Sequence, residues 1–448
     1  MIPILDFQRR ATTGPVMKAD DFDIDFAMKV RELVARYDIK YDPEQLVVDD
    51  RTADAVFEAG VDLLAEIGLY MMDTQRVVKY TREELLQIAR ESQEMPANAV
   101  LGRGKDRMSL RYRKGTDTWA PTNYAGGGGV VPTDYFIEYV QSLVQEERVK
   151  GTGMVACLDR LGNVAPQAGT PSEVHVALWE QDALKEALRR VGRPELNLGL
   201  LCTVSTVGGT MAMMTPGLRE PHNTQIGVHI MPEQKLTWRS LLLAQFCELR
   251  GIEPWQSSMS CIGALCRDAA DTAVGLIANG LGQLSYAHGA TMSYYPSHLE
   301  GTWATRDAHW AFSAACRASE RHLGVAAGTA ISGDKAWRTP LSLWQSAGMV
   351  VASVPSGMAY TWFAGHTGLE ARFVGEMMDA VTGLSRERCN ELLQKIMRKV
   401  EALKPTVPSG HIPFPDTYDL KTMKPKAEYE AGMRRVMDEL ASMGMPLK

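Results

Sequence analysis

QSSMSCIGALCRDAADTAVGLIANGLGQLSYAHGATMSYY, residues 256–295, carries the reading of the fold. Its two ends, 256–263 and 289–295, are short apolar runs rich in Ser and Thr. Between them, 266–287 has helical spacing of Ala, Val, Leu and Ile. A strand, a helix and a second strand in this order predict a parallel βαβ unit.

The same alternation extends in both directions. Further strands are expected at 119–125, 152–158, 197–206, 226–231, 324–332 and 348–354. Amphipathic stretches fall near 133–149, 172–191, 233–250, 306–322 and 339–347. Eight such strands imply an α/β fold, a (β/α)8 TIM barrel over 118–366. An open doubly wound sheet is the alternative, but no GxGxxG follows a first strand with an acid about 20 residues on.

Residues 1–117 read as a helical N-terminal region with no β-branched alternation of any length. Within it, 52–68 places Ala53, Val56, Phe57, Gly60, Leu63, Leu64 and Ile67 at helical spacing. Thr81 with Glu84 is a capping-box pattern. Residues 367–448 return to helix at 368–382, 385–403 and 426–443, with a Pro-rich connector at 405–419. These are expected to pack on the barrel.

Composition narrows the class. The chain has 448 residues, 45% hydrophobic and 23% charged, with a formal charge of −6. That supports a large core and excludes a disordered chain. A mildly acidic chain is not a dedicated nucleic-acid binder. No uninterrupted apolar run reaches the ~20 residues of a membrane span. Seven scattered cysteines without CxxC spacing read as reduced thiols in a cytoplasmic protein.

A barrel works at the C-terminal ends of its strands. The polar residues expected there include His229 and Glu233 after the fourth strand and Ser260 and Cys261 at the fifth. Tyr294, His298 and Glu300 follow the sixth, Asp334 and Lys335 the seventh, and Ser353 and Ser356 the eighth. Gly126–Gly129 lacks the P-loop pattern and reads as a loop making close backbone contact with a ligand. Cys261 and Cys266, with His229 or His298, form a candidate soft-ligand set, though not at a recognised zinc spacing. Aromatics gather at 294–310 as Tyr294, Tyr295, Trp303 and Trp310, with Trp337, Trp344 and Trp362 in later segments. Ring faces of this kind hold a methylated ammonium by cation–π attraction. Ordinary packing of the helices is the competing reading. The long segment GGTMAMMTPGLREPHN, 208–223, follows the third strand and holds three of the chain's 24 methionines. Long irregular loops are usually functional.

Several stretches resemble the monomethylamine methyltransferases of methylotrophic methanogens. They are FEAGVDLLAEIGLYMMDTQRVVKYTREEL (57–85), RVGRP (190–194), TGLEARFVGEM (367–377) and YDLKTMKPKAEYE (418–430). The resemblance runs over nearly the whole chain. It implies a (β/α)8 barrel that transfers a methyl group from an amine to the Co(I) of a separate corrinoid protein. By that resemblance the barrel holds no cofactor permanently, the cobamide being presented by the partner, and the chain forms a homo-oligomer. The family's amine-activating pyrrolysine, in the loop after the third strand, falls in register at Met214. Glu233, in PEQKL, matches a family carboxylate. The family's strand-5 acidic pair falls at Ala269 and Ala270, and its strand-7 polar and aromatic residues fall near Lys335 and Trp337.

A thioether forms no imine with an amine. A quaternary ammonium, by contrast, leaves as a neutral amine and needs no covalent activation. The expectation is therefore a pyrrolysine-free methyltransferase acting on a quaternary or other N-methyl amine. Glu233, His229, Asp334 and Lys335 are the candidate catalytic residues. Met214, Tyr294, His298, Trp303, Trp310 and Trp337 are the candidate donor-binding residues. No metal is assigned. The rivals are a zinc-dependent O-demethylase using Cys261 and Cys266, and a non-catalytic binding protein on the same barrel.

Overall fold

The structure is a computed structural model. It describes residues 2–126, 131–153, 160–201, 206–287, 289–299, 303–331, 333, 336–363, 366–406 and 410–447. Among these, eight parallel strands form one sheet. They are β1 (Thr122–Gly126), β2 (Val149–Gly153), β3 (Leu200–Leu201), β4 (Gln225–His229), β5 (Glu253–Ile262), β6 (Thr291–His298), β7 (Ala326–Ile331) and β8 (Tyr360–Phe363). β8 pairs with both β7 and β1. On the far side, Thr152 N–H donates to Asn197 O at 2.9 Å, so β2 meets the segment entering β3 and the sheet closes.

Each strand is followed by a helix. In chain order these are α1 (Phe136–Val144), α2 (Pro171–Arg190), α3 (Val207–Met213), α4 (Trp238–Arg250), α5 (Ala269–Leu284), α6 (Arg306–His322), α7 (Pro340–Ser353) and α8 (Gly368–Val381). Their starts are set by side-chain caps. Asp268 accepts the N–H groups of Ala270 and Asp271 at α5, Thr305 caps α6, and Thr367 with Glu370 forms a capping box at α8. Helix N-termini therefore lie at the mouth, beside the C-terminal ends of the strands.

The expected strand at 348–354 is instead the last turns of α7, and β8 is the short run YTWF at 360–363. Every residue from Leu341 to Ser353 is buried. A helix buried on all sides has the same continuous apolar pattern as a buried strand, so the pattern alone does not separate them. Ser353 and Ser356 consequently sit at and beyond the C-terminal end of α7, at the opposite end from the mouth. There the Ser356 hydroxyl bonds Ser313 Oγ and Ala352 O.

The N-terminal region is also not wholly helical. A hairpin joins Leu69–Met71 to Arg76–Val78, and a second joins Asn98–Leu101 to Met108–Arg111. Strands of three or four residues are too short for alternation to show. Leu101, Met108 and Leu110 of the second hairpin pack with Tyr124, Trp255, Ala326 and Tyr360 and close the lower end of the barrel. The first hairpin reaches the mouth: Tyr70 and Met71 pair in parallel with Lys235 and Leu236, just after β4. Helix Asp50–Ile67 lies on α5 and α6. Gly60 makes that approach possible, because a Cβ there would meet the Ile277 side chain at 2.5 Å. Helices Arg386–Leu403 and Ala427–Ser442 cover α7.

Candidate active site

Side chains alternate between the two faces of each strand. Ring contacts show which face looks into the lumen. Tyr124 of β1, Trp255 of β5 and Tyr360 of β8 meet with centroids 5.6, 6.3 and 5.0 Å apart. Since β5 lies across the barrel from β1 and β8, these contacts pass through the interior. Tyr124 OH donates to Gln225 Oε1 at 3.0 Å and accepts from Asn197 Nδ2 at 2.6 Å. Tyr360 OH and Ser293 Oγ share a hydrogen bond of 2.7 Å. This ring layer is the floor. Two of its rings occupy the space beside glycines on adjoining strands, Tyr124 at Gly151 and Tyr360 at Gly328.

Above the floor lies a second aromatic group. Tyr295 (β6), Trp362 (β8) and Trp303, in the loop after β6, form a triangle with centroids 5.9, 6.1 and 6.5 Å apart. Trp362 Nε1 donates to Tyr295 OH at 2.7 Å, and Trp303 Nε1 donates to Ser297 Oγ at 3.2 Å. Ser297 is the direct cross-strand neighbour of Cys261.

Cys261 links the aromatics to an acid. Its backbone N–H donates to the Glu233 carboxylate at 3.1 Å. Glu233 is buried, and burial pushes its carboxyl above the usual carboxylate range. The Cys261 N–H and Lys235 act in the opposite sense. Glu233 and Gln234 are both left-handed, with φ of 50° and 60°. Two successive non-glycine residues in this region store backbone strain, which collects at active sites and switches. The same Glu233 carboxylate, with burial as the larger cause, raises the Cys261 thiol.

His229 completes the described wall. Its ring folds back over Gly227, where a Cβ would overlap it. Its Nδ1 lies 2.6 Å from Ser257 Oγ. Burial pushes the imidazole down to about 4, so it is neutral at pH 7. Met214 is buried at the C-terminal end of α3, in the loop following β3.

Three of the candidate catalytic and donor-binding residues therefore gather at the mouth of the described barrel: Glu233, His229 and Trp303. Other placements differ. Tyr294 points away from the lumen, into the layer of α5, where a Cβ on Gly280 would lie 3.4 Å from its hydroxyl. Its neighbour Tyr295 takes the interior position. Trp310 is buried on α6 against Tyr41, with centroids 5.8 Å apart. Trp337 lies tilted against His411 of the Pro-rich connector, with centroids 5.5 Å apart, and its carbonyl accepts Ile412 N–H. His298 lies 3.5 Å from Asp307 on the outer side of β6. Asp334, Lys335, Glu300 and Gly127–Gly129 lie outside the described residues.

Cys266 does not join Cys261. Its sulfur faces α5, 3.4 Å from where a Cβ on Gly275 would stand. Among the described residues, no three His, Cys, Asp or Glu side chains form a metal-binding group. Cys247, Cys261, Cys266, Cys316 and Cys389 form no disulfides. No described helix is long and apolar enough to cross a membrane.

A closed parallel barrel with an acid, a neutral imidazole and aromatic faces at its mouth belongs to the (β/α)8 enzymes. The comparisons with known proteins give the family. The family model for monomethylamine methyltransferase MtmB matches residues 2–445, and the chain belongs to that family. By that membership it is a methyltransferase. Monomethylamine methyltransferase MtmB3 of Methanosarcina barkeri is 25% identical, with 97% of each chain covered. MtmB2 of Methanosarcina acetivorans is 24% identical over the same share. Two crystal structures share the fold: Methanosarcina barkeri MtmB, at TM-score 0.94 and 23% identity, and a hydroxylamine complex of MtmB, at 0.94 and 22%. Each covers 99% of this chain and 98% of its own.

Proposed function

We propose that this chain takes a methyl group from a quaternary or N-methyl amine and passes it to the Co(I) of a separate corrinoid protein. The observation that carries the reading is the triangle of Tyr295, Trp303 and Trp362, one strand away from the Glu233–Cys261 contact. Aromatic faces beside a buried carboxylate suit a cation that carries methyl groups and offers few hydrogen-bond donors. The relatives are named for monomethylamine. We take Met214, which is apolar and buried, to stand in the register of the family's pyrrolysine.

A tetraalkylammonium supplies its own leaving group. The C–N bond breaks with its electron pair remaining on nitrogen, and a neutral tertiary amine departs. The reduced cobalt presented by the partner supplies the pair for the new bond to carbon. The chain's own part is to bind and aim the donor. The aromatic faces hold the cation, the Glu233 carboxylate fixes its orientation, and neutral His229 with Ser257 lines the wall without competing for positive charge. Asp334 and Lys335 are assigned catalytic roles in this proposal. The protein acts in the cytoplasm, as a homo-oligomer, and binds the cobamide only through its partner.

The test mixes the purified chain with its corrinoid protein, reduced to Co(I), and a set of donors. Tetramethylammonium and trimethylated amino acids should discharge the Co(I) absorbance, and monomethylamine should not. Turnover of monomethylamine alone would overturn the donor assignment. Saturable donor binding without any loss of Co(I) signal would make the chain a binding protein instead.

A further inference from the structure

We propose that Asn279 of α5 is the positioning residue that holds Glu233 in its working geometry. The inference rests on the reading of Glu233 as the donor-orienting acid. It starts from an unequal pair of strands. β4 ends at His229, opposite Ser257, whereas β5 continues to Ile262. Beyond Ser257, the edge of β5 on that side has no described strand beside it. Side chains supply the missing hydrogen bonds. Glu233 takes the Cys261 N–H at 3.1 Å, and Asn279 Nδ2 donates to Met259 O at 2.7 Å.

Asn279 makes a second bond that closes the arrangement. Its Oδ1 accepts the N–H of Gln234 at 2.8 Å. That N–H belongs to the peptide joining Glu233 to Gln234, the two left-handed residues. One amide thus holds the strained turn and, through Met259, the strand whose next odd residue grips the Glu233 carboxylate. Ser260 Oγ lies 3.5 Å from the same Nδ2. Asn279 is buried, in the interior of a helix whose residues are all buried. Asparagine is a poor choice there on propensity alone, and an amide without partners at such a site is costly.

Other anchors reach the turn from elsewhere. Gln234 Nε2 donates to Gly68 O at 2.8 Å, and Gln234 O accepts Tyr70 N–H at 2.8 Å. The titratable groups acting on Glu233 are Lys235 on its own loop, Asp23 from helix Ala19–Arg36, and Cys261 and Cys266 from the β5 side. Asn279 is the uncharged group among them, so its contribution is geometric.

The test uses the full chain with Asn279→Ala and the near-isosteric, uncharged Asn279→Leu, both of which remove the two amide hydrogen bonds. The carboxyl band of Glu233 is followed by infrared difference spectroscopy against pH, assigned by its disappearance in Glu233→Gln. Loss of the clamp loosens the Cys261 N–H from the carboxylate, and the titration midpoint should move to higher pH in both variants. Methylation of reduced cobalamin from tetramethylammonium at pH 7 should fall on the order of tenfold to a hundredfold, as expected when a reacting group is misplaced by about 1 Å. An unchanged or lowered midpoint in a folded variant would overturn the proposal. If Asn279→Ala does not fold, the midpoint of Asn279→Leu decides the question. Full methyl transfer by Glu233→Gln would instead refute the role of Glu233, while the infrared midpoint would still show whether Asn279 governs its carboxyl.

Discussion

Replacing Gly328 with alanine tests whether the floor of the barrel is as closely packed as its geometry indicates. Gly328 is the cross-strand partner of Tyr360, and a Cβ built on it overlaps that ring. The ring has no easy retreat. Trp255 stands edge-on at 5.0 Å, and the hydroxyl is tied to Ser293 Oγ at 2.7 Å. Forcing a methyl group into a filled core costs about 1–3 kcal/mol. Shifting the ring far enough to break its hydrogen bond adds about 0.5–1.5 kcal/mol. Gly328→Ala should therefore destabilise by about 1.5–4.5 kcal/mol. Gly432 is the matched control. It is a glycine within helix Ala427–Ser442, and a Cβ there meets only Arg435 Nη2, at 3.7 Å. Gly432→Ala should stabilise by about 0.5–1 kcal/mol through the lower entropy of the unfolded chain. Urea unfolding followed by tryptophan fluorescence reads both, with Trp255 reporting directly on the floor. A Gly328→Ala protein within about 0.5 kcal/mol of the parent, and with an unchanged spectrum, would show that the ring layer has slack and refute the packing argument.

Three further outcomes follow from the geometry. Trp303→Leu should weaken tetramethylammonium binding by about 3- to 30-fold, the worth of one cation–π face, and leave a neutral tert-butyl isostere unaffected; equal losses by calorimetry would mean simple packing. Burial pushes the Glu253 carboxyl up to about 7, so its folded value lies above its unfolded one. Its contribution to stability is complete below the unfolded value and is lost as pH rises through the folded one. Glu253→Gln should then become more favourable relative to the parent between pH 5 and pH 8, by no more than about 3 kcal/mol, and a pH-independent difference in urea midpoints would contradict this. Asp268→Ala removes the cap that accepts Ala270 and Asp271 N–H at the start of α5 and should cost about 1 kcal/mol in the same denaturation assay.

Repeated strand and helix segments made the barrel legible, because the segments at 256–263 and 289–295 each carry period and punctuation. The eighth strand escaped because YTWF is four residues long and stands beside the longer apolar run of α7. Position along the chain placed Glu233 and His229 at a strand end, which is where a barrel's chemistry lies. Direction was not readable. Tyr294 and Tyr295 are adjacent and identical, and only register assigns the second to the lumen. Trp310 and Trp337 show the same difficulty, since an indole on a helix or loop gives no sign of which neighbour it meets. Asn279 left no trace in sequence at all. Its partners lie 20 and 45 residues away, and a single asparagine in an apolar helix resembles a tolerated imperfection.

The pairing of Tyr70 and Met71 with Lys235 and Leu236 bears on how this protein comes to be made. A ribosome releases the hairpin long before it releases the turn that holds Glu233. The hairpin must wait, with one edge open, until β4 has been synthesised. Contacts so distant in sequence are slow to close. The acid at the mouth is therefore among the features whose setting depends on both ends of a long wait. A barrel expressed from residue 118 onward would lack the strand that pairs with the segment just after Glu233.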